Sequence, residues 1–161
     1  MPENNSTFNE YEHLLQLVDF AISREQEAAA FYHELAAKVQ NESITSELRR
    51  MAAMEEEHKT RFEKLNIAES ASSLPPEIEN LKIDNYRVAV KPDVSMSSSD
   101  VLQLALQRET ASMKLYSDMA NLLPDSLLKR LLLNLVKEES LHYRYLERLM
   151  AENQVILPAN G

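Results

Sequence analysis

Cysteine and tryptophan are missing from this 161-residue chain, and its single glycine is the last residue. Without cysteine there is no disulfide, no thiolate zinc site and no cysteine-ligated iron, and the redox state of the compartment leaves no mark on the sequence. The six prolines lie outside the periodic stretches or at their borders. Helix interiors reject both proline and glycine, so this usage predicts an all-α protein. No stretch resembles a membrane span or a signal peptide, which makes a cytoplasmic protein the expectation. A net charge of −9 argues against a broad surface for nucleic acid or anionic membrane. With 44% hydrophobic residues, the length suits one domain with a real core.

What the chain does contain is a pattern that occurs twice. Met51, Phe62 and Leu65 mark an apolar helical stripe, and Glu55 and His58 fall within it. A charge on a core-facing position costs several kcal/mol unless something positive meets it. Leu132, Leu135, Leu146 and Leu149 form a second such stripe, interrupted by Glu139 and His142. The two Glu-x-x-His units are 84 residues apart, and the same offset lays Ala21 on Ala105, Arg24 on Arg108, Glu25 on Glu109, Tyr32 on Tyr116 and Leu48 on Leu132. The chain therefore reads as a duplicated helical hairpin. Each copy carries three candidate metal ligands: Glu25, Glu55 and His58, then Glu109, Glu139 and His142.

The periodicity predicts four helices. The first runs from about Asn9 to Asn41 after a loose polar start over residues 1–8, with Val18, Ala21, Glu25, Ala28, Tyr32 and Leu35 on one face. Asn41 to Ser43 supply the cap for a second helix over roughly 43–69. Ser97 and Asp100 resemble a capping box ahead of a third helix at roughly 99–122, whose inner face carries Leu102, Ala105, Glu109, Ser112, Tyr116 and Met119. Pro124 and Asp125 mark the start of a fourth helix reaching about Asn153, and the tail over 155–161 stops it. Between the second and third helices, residues 70–97 break the pattern; an alternating run at 86–90 reads as a brief extended segment or a strap across the bundle. So long a linker can return along a helix of about 26 residues, some 40 Å, and this predicts parallel second and third helices. The expected fold is a four-helix bundle with one long crossover between helices 2 and 3, a single domain over 1–161 built from hairpins at about 10–69 and 98–153. Two separable hairpins are the alternative, but each would expose its apolar face.

In one bundle, two helices would each contribute a lone glutamate and two would each contribute Glu-x-x-His, the donor set of di-iron and di-manganese carboxylate bundles. Residues three apart on a helix can aim at one centre. Two divalent cations would neutralise four ionised glutamates, which could not otherwise stay charged together in a core. Such oxygen–nitrogen sites suit iron or manganese, and zinc can occupy them. No His-Glu-x-x-His is present, which ranks a zinc hydrolase below the other readings. Taken singly, Glu55 and His58 lie in an acidic run that would ordinarily be solvated surface; the repeat is what singles them out. His13 and His33 lack a repeat partner and are expected to be exposed. Tyr32 and Tyr116 are either core aromatics or hydrogen-bond donors to the ligand carboxylates.

These residues, in the stretches from Ala21 to Tyr32 with Glu55 to His58 and from Ala105 to Tyr116 with Glu139 to His142, resemble the ferritin-like superfamily and in particular the rubrerythrin-type di-iron domain. The resemblance covers about residues 10–152. It implies two iron ions per chain, with Glu25 and His58 terminal on one, Glu109 and His142 terminal on the other, and Glu55 and Glu139 as bridges. It further implies an oxidoreductase that reduces hydrogen peroxide or dioxygen as Fe(II) is oxidised, and a homodimer. Rubrerythrins usually carry a four-cysteine rubredoxin-like domain; this chain has no cysteine, so its electron donor would be a separate protein. Many also have a further glutamate one turn before the third-helix ligand, where this chain has Leu106, and that departure weighs against the full peroxidase chemistry. Ferroxidase or iron handling, and a non-enzymatic metal-stabilised scaffold, are the competing functions.

Overall fold

The computed structural model describes residues 5–88 and 95–152, with side chains from residue 9 onward. Four helices dominate: α1 (Asn5–Lys38), α2 (Glu42–Lys64), α3 (Ser98–Leu122) and α4 (Leu127–Ala151). Local chemistry sets most of their ends. The Asn41 side chain accepts hydrogen bonds from the Ser43 and Ile44 amides and opens α2. The Ser97 hydroxyl accepts from the Asp100 amide at the start of α3. At α4 the cap is Ser126, which accepts from the Lys129 amide, so Pro124 and Asp125 belong to the preceding turn rather than to the helix start.

Other ends differ from the periodicity. The first helix begins at Asn5, a turn earlier than predicted, so residues 5–8 are helical rather than loose. It stops at Lys38 because Asn41 is already committed to capping α2. Helix α2 ends at Lys64 instead of near 69: Leu65 turns extended, and Ile67–Ser70 tightens into a 3₁₀ turn. That departure buries Ile67 and brings the Ser70 hydroxyl to accept from the Leu128 amide at the head of α4. A tertiary contact has overridden a helical pattern.

The hairpins α1–α2 and α3–α4 each pack along their length. Between them, Tyr32 of α1 meets Glu109 of α3 and Glu25 of α1 meets Tyr116, so α1 and α3 run antiparallel. Likewise His58 meets Glu139 and Glu55 meets His142 across α2 and α4. The second and third helices are therefore parallel, and the connection must return the length of α2, about 35 Å for a helix of this size. The fold is an all-α four-helix bundle of the ferritin-like kind with a long crossover between α2 and α3.

Three 3₁₀ turns, Ile67–Ser70, Pro76–Asn80 and Ile83–Tyr86, carry the described part of that crossover. Ile78 and Tyr86 sink into the core, and the Tyr86 hydroxyl donates to Asp118 of α3 at 2.7 Å. His13 is half-buried rather than exposed, because its Nε2 donates to the Leu81 carbonyl at 2.6 Å and pins the strap to α1. His33 is exposed, beside Glu56. Tyr86 closes a 3₁₀ turn and Arg87 beyond it is extended; α4 ends at Ala151, close to the expected end near Asn153. The rest of the run at 86–90 falls in residues 89–94, which with 1–4 and the tail over 153–161 lie outside the described residues.

Two apolar clusters fill the bundle. One gathers Leu14, Leu17, Phe62, Leu115, Leu128 and Leu132 under the crossover. The other gathers Phe31, Leu35, Leu48, Met51, Leu102 and Leu146 towards the opposite end. A polar layer separates them. Among the described residues, no helix is long and apolar enough to cross a membrane.

Candidate metal centre

Six side chains make up that layer. Glu25 comes from α1, Glu55 and His58 from α2, Glu109 from α3, and Glu139 and His142 from α4, and each is 1–3% exposed. The flanking residues of each helix are apolar at helical spacing, so packing the stripe into the bundle carries these six inward with it. They form two groups. Glu25, Glu55, His58 and Glu139 offer ligand atoms all within 4.8 Å of one another, and so do Glu55, Glu109, Glu139 and His142. Glu55 and Glu139 belong to both.

The two groups are nearly mirror copies in their distances. Nδ1 of His58 lies 2.9 Å from Glu139, 3.4 Å from Glu25 and 4.0 Å from Glu55. Nδ1 of His142 lies 2.7 Å from Glu55, 3.5 Å from Glu139 and 3.9 Å from Glu109. Both imidazoles present the same nitrogen to the carboxylates, and their rings stack with centroids 6.4 Å apart. The two tyrosines cross between the hairpins: the Tyr32 hydroxyl donates to Glu109 and the Tyr116 hydroxyl to Glu25.

The donor set fits a pair of cations. Glu25 Oε2, Glu55 Oε1, Glu109 Oε2 and both ring nitrogens of His142 are buried with no hydrogen-bond partner among the described residues. Glu55 Oε1 and His142 Nδ1 approach to 2.7 Å without hydrogen-bond alignment, as two atoms do when they converge on a common point. Unpaired buried acceptors are costly, and a metal would satisfy them together. The electrostatics say the same. Burial, followed by the neighbouring carboxylates Glu25 and Glu139, pushes the Glu55 carboxyl well above the usual range. Burial and Glu139 do likewise to Glu109. Burial pulls the His58 imidazole down, but the Glu139 and Glu25 carboxylates beside it outweigh that and raise it to about 10. For Glu139, burial is outweighed by the neighbouring Glu109, His142 and His58 side chains, which hold it well below the usual range. These shifts are what carboxylates crowded together in a core show when no cation lies between them.

Sequence reasoning missed several neighbours. Glu138 directly precedes Glu139, and its Oε2 accepts from His58 Nε2 at 2.6 Å; Arg61 Nη1 donates to the same oxygen at 3.4 Å. The repeat hid Glu138, because its counterpart is Met54. The matched pair Arg24 and Arg108 was visible in the repeat without a role. With Tyr32, Glu109 and Ser112 they line a small cleft of about 20 Å³ between α1 and α3 that reaches Glu55 and Glu139. Leu106 is buried in the apolar cluster beside the centre and offers no donor.

The model of the rubrerythrin family matches residues 16–150. A Thermotoga maritima protein described provisionally as a ferritin-like diiron-carboxylate protein has a crystal structure similar to this fold, with a TM-score of 0.63 at 22% identity, over 85% of this chain and 93% of that one. No curated protein matches the chain.

Proposed function

The chain belongs to the rubrerythrin family, and on that premise we propose that it is a di-iron oxidoreductase that reduces hydrogen peroxide or dioxygen at the expense of Fe(II). The observation that carries the reading is the pair of buried Glu/His groups sharing Glu55 and Glu139. Glu25 and His58 would hold one iron, Glu109 and His142 the other, and the shared glutamates both; manganese or zinc could enter the same donors. When bound, the two irons supply one electron each, the two that reduction of peroxide to water requires.

The chain's own residues do the rest. The apolar clusters above and below the layer exclude bulk water and leave the cleft beside Arg24 and Arg108 as the approach for a small oxidant. Tyr32 and Tyr116 hold the terminal glutamates in orientation by donating to them, and burial beside Glu109 and Glu25 keeps both phenols protonated. Re-reduction of the centre would come from a separate electron-donor protein. The proposal extends to a cytoplasmic homodimer of one domain over 1–161 that binds neither nucleic acid nor membrane.

Anaerobic protein loaded with Fe(II) and mixed rapidly with hydrogen peroxide or with air tests this. Oxidation of bound Fe(II) much faster than of free Fe(II) is expected. Faster oxidation by peroxide assigns the peroxidase role, and faster oxidation by air assigns ferroxidase chemistry, the reading that the apolar Leu106 favours. Bound Fe(II) oxidised no faster than free Fe(II) would remove the enzymatic reading and leave a metal-stabilised scaffold.

A further inference from the structure

The two halves of the centre match in their six inner residues and differ one step outside them. His58 Nε2 donates to Glu138, and Glu138 is braced in turn by Arg61, which also donates to Glu57 at 2.9 Å. The repeat carries His58 to His142, Glu138 to Met54 and Arg61 to Tyr145. A thioether and a phenol stand where the first half has a carboxylate and a guanidinium. Met54 is partly exposed and contacts Arg50, and His142 Nε2 is left buried with no hydrogen-bond partner among the described residues.

An imidazole that gives Nδ1 to a metal carries its proton on Nε2. At His58 that proton has a carboxylate acceptor, which fixes the tautomer, locks the ring and makes Nδ1 the stronger donor. At His142 the same proton would be buried without an acceptor, a cost that metal binding itself would have to bear. We propose that Glu138 is a positioning residue that makes the two metal sites unequal: the Glu25–His58 site binds its ion tightly and fills first, and the Glu109–His142 site is the weaker, exchangeable one. This rests on the reading of the centre as a two-metal site. It concerns the order and affinity of loading, which that reading leaves open.

The test is calorimetric titration of the metal-free full-length protein with Co(II), followed in parallel by the visible Co(II) spectrum. Because the shared glutamates couple the sites, each is first measured alone: the His58 site in Glu109→Ala and the His142 site in Glu25→Ala. The His58 site is expected to be at least about 10-fold tighter, the lower end of what orienting partners of metal ligands contribute. Glu138→Gln should weaken that site by a similar factor and leave the His142 site unchanged. Met54→Glu, at a partly exposed position that tolerates a charge, should strengthen the His142 site. The exchange variant Glu138→Met with Met54→Glu should invert the order of filling, which a general loss of folding could not do. Equal sites in the two single-site variants, or equal weakening of both sites by Glu138→Gln, would overturn the proposal. Absence of any Co(II) binding would instead sink the two-metal reading beneath it.

Discussion

Around His58, Glu138 accepts from Nε2 and Arg61 braces Glu138; around His142, Met54 and Tyr145 occupy the matching places and Nε2 has no acceptor among the described residues. Between those two outer arrangements lie inner ones with closely similar distances, down to the nitrogen each imidazole presents. The contrast separates two kinds of constraint. A residue that must place an atom on a shared centre is held to position and type in both hairpins. A residue that only steadies such a side chain can differ between them, and the two halves then differ in strength while agreeing in geometry.

The largest effects are expected where the halves are joined. Glu55 and Glu139 serve both groups, so Glu55→Ala and Glu139→Ala should each abolish binding of both metals. Glu25→Ala and Glu109→Ala should each remove one, as read by metal content after reconstitution. If Glu55→Ala kept a full site, the halves would be independent rather than joined.

Next come matched core positions, where the repeat is expected to hold energetically as well. Leu48 and Leu132 are related by the offset and both are fully buried, one in each apolar cluster. Leu48→Ala and Leu132→Ala should each cost about 2–5 kcal/mol in denaturant unfolding of the metal-free protein. A large disparity would show that the two ends of the bundle are packed unequally.

A smaller and again symmetrical effect is expected at the tyrosines. Tyr32→Phe and Tyr116→Phe each remove one hydrogen bond to a terminal glutamate and should weaken the corresponding metal by about 10-fold in competition with a chelator. Loss at only one of the two would carry the asymmetry inward, from the histidines to the glutamates.

The smallest effect is a pH slope. Glu55 and Glu109 are held above the ordinary carboxylate value and His58 is raised to about 10. A raised group stabilises the fold fully below its unfolded value, and that contribution fades as pH rises through the folded value. Glu139, held low, contributes above the ordinary carboxylate range and stays constant near neutrality. The metal-free protein should therefore melt at a lower temperature at pH 9 than at pH 6. Loading with a divalent metal should flatten or reverse that slope, because the cation takes the protons' place.

Much of this was legible in the sequence, and particular residues show why. The inward place of Glu25, Glu55, His58, Glu109, Glu139 and His142 could be read because a charge inside an apolar stripe is costly and this one recurs at a fixed offset. The parallel arrangement of α2 and α3 followed from linker length. The end of α2 did not, since Ile67 and Ser70 leave the helix to meet α4, a contact with no local signature. His13 looked like surface because its partner is a backbone carbonyl of the crossover, which sequence patterns do not display. Glu138 was overlooked for the most instructive reason: the repeat that exposed its neighbours has Met54 at its place.

The central claim is a two-metal centre built by a duplicated hairpin. Metal content of anaerobically purified protein, determined by mass spectrometry before and after reconstitution with Fe(II), tests it most directly. About two metals per chain, lost in Glu55→Ala and Glu139→Ala, is the expected result. No bound metal, and none taken up on reconstitution, would contradict it and leave four buried carboxylates in need of another cation.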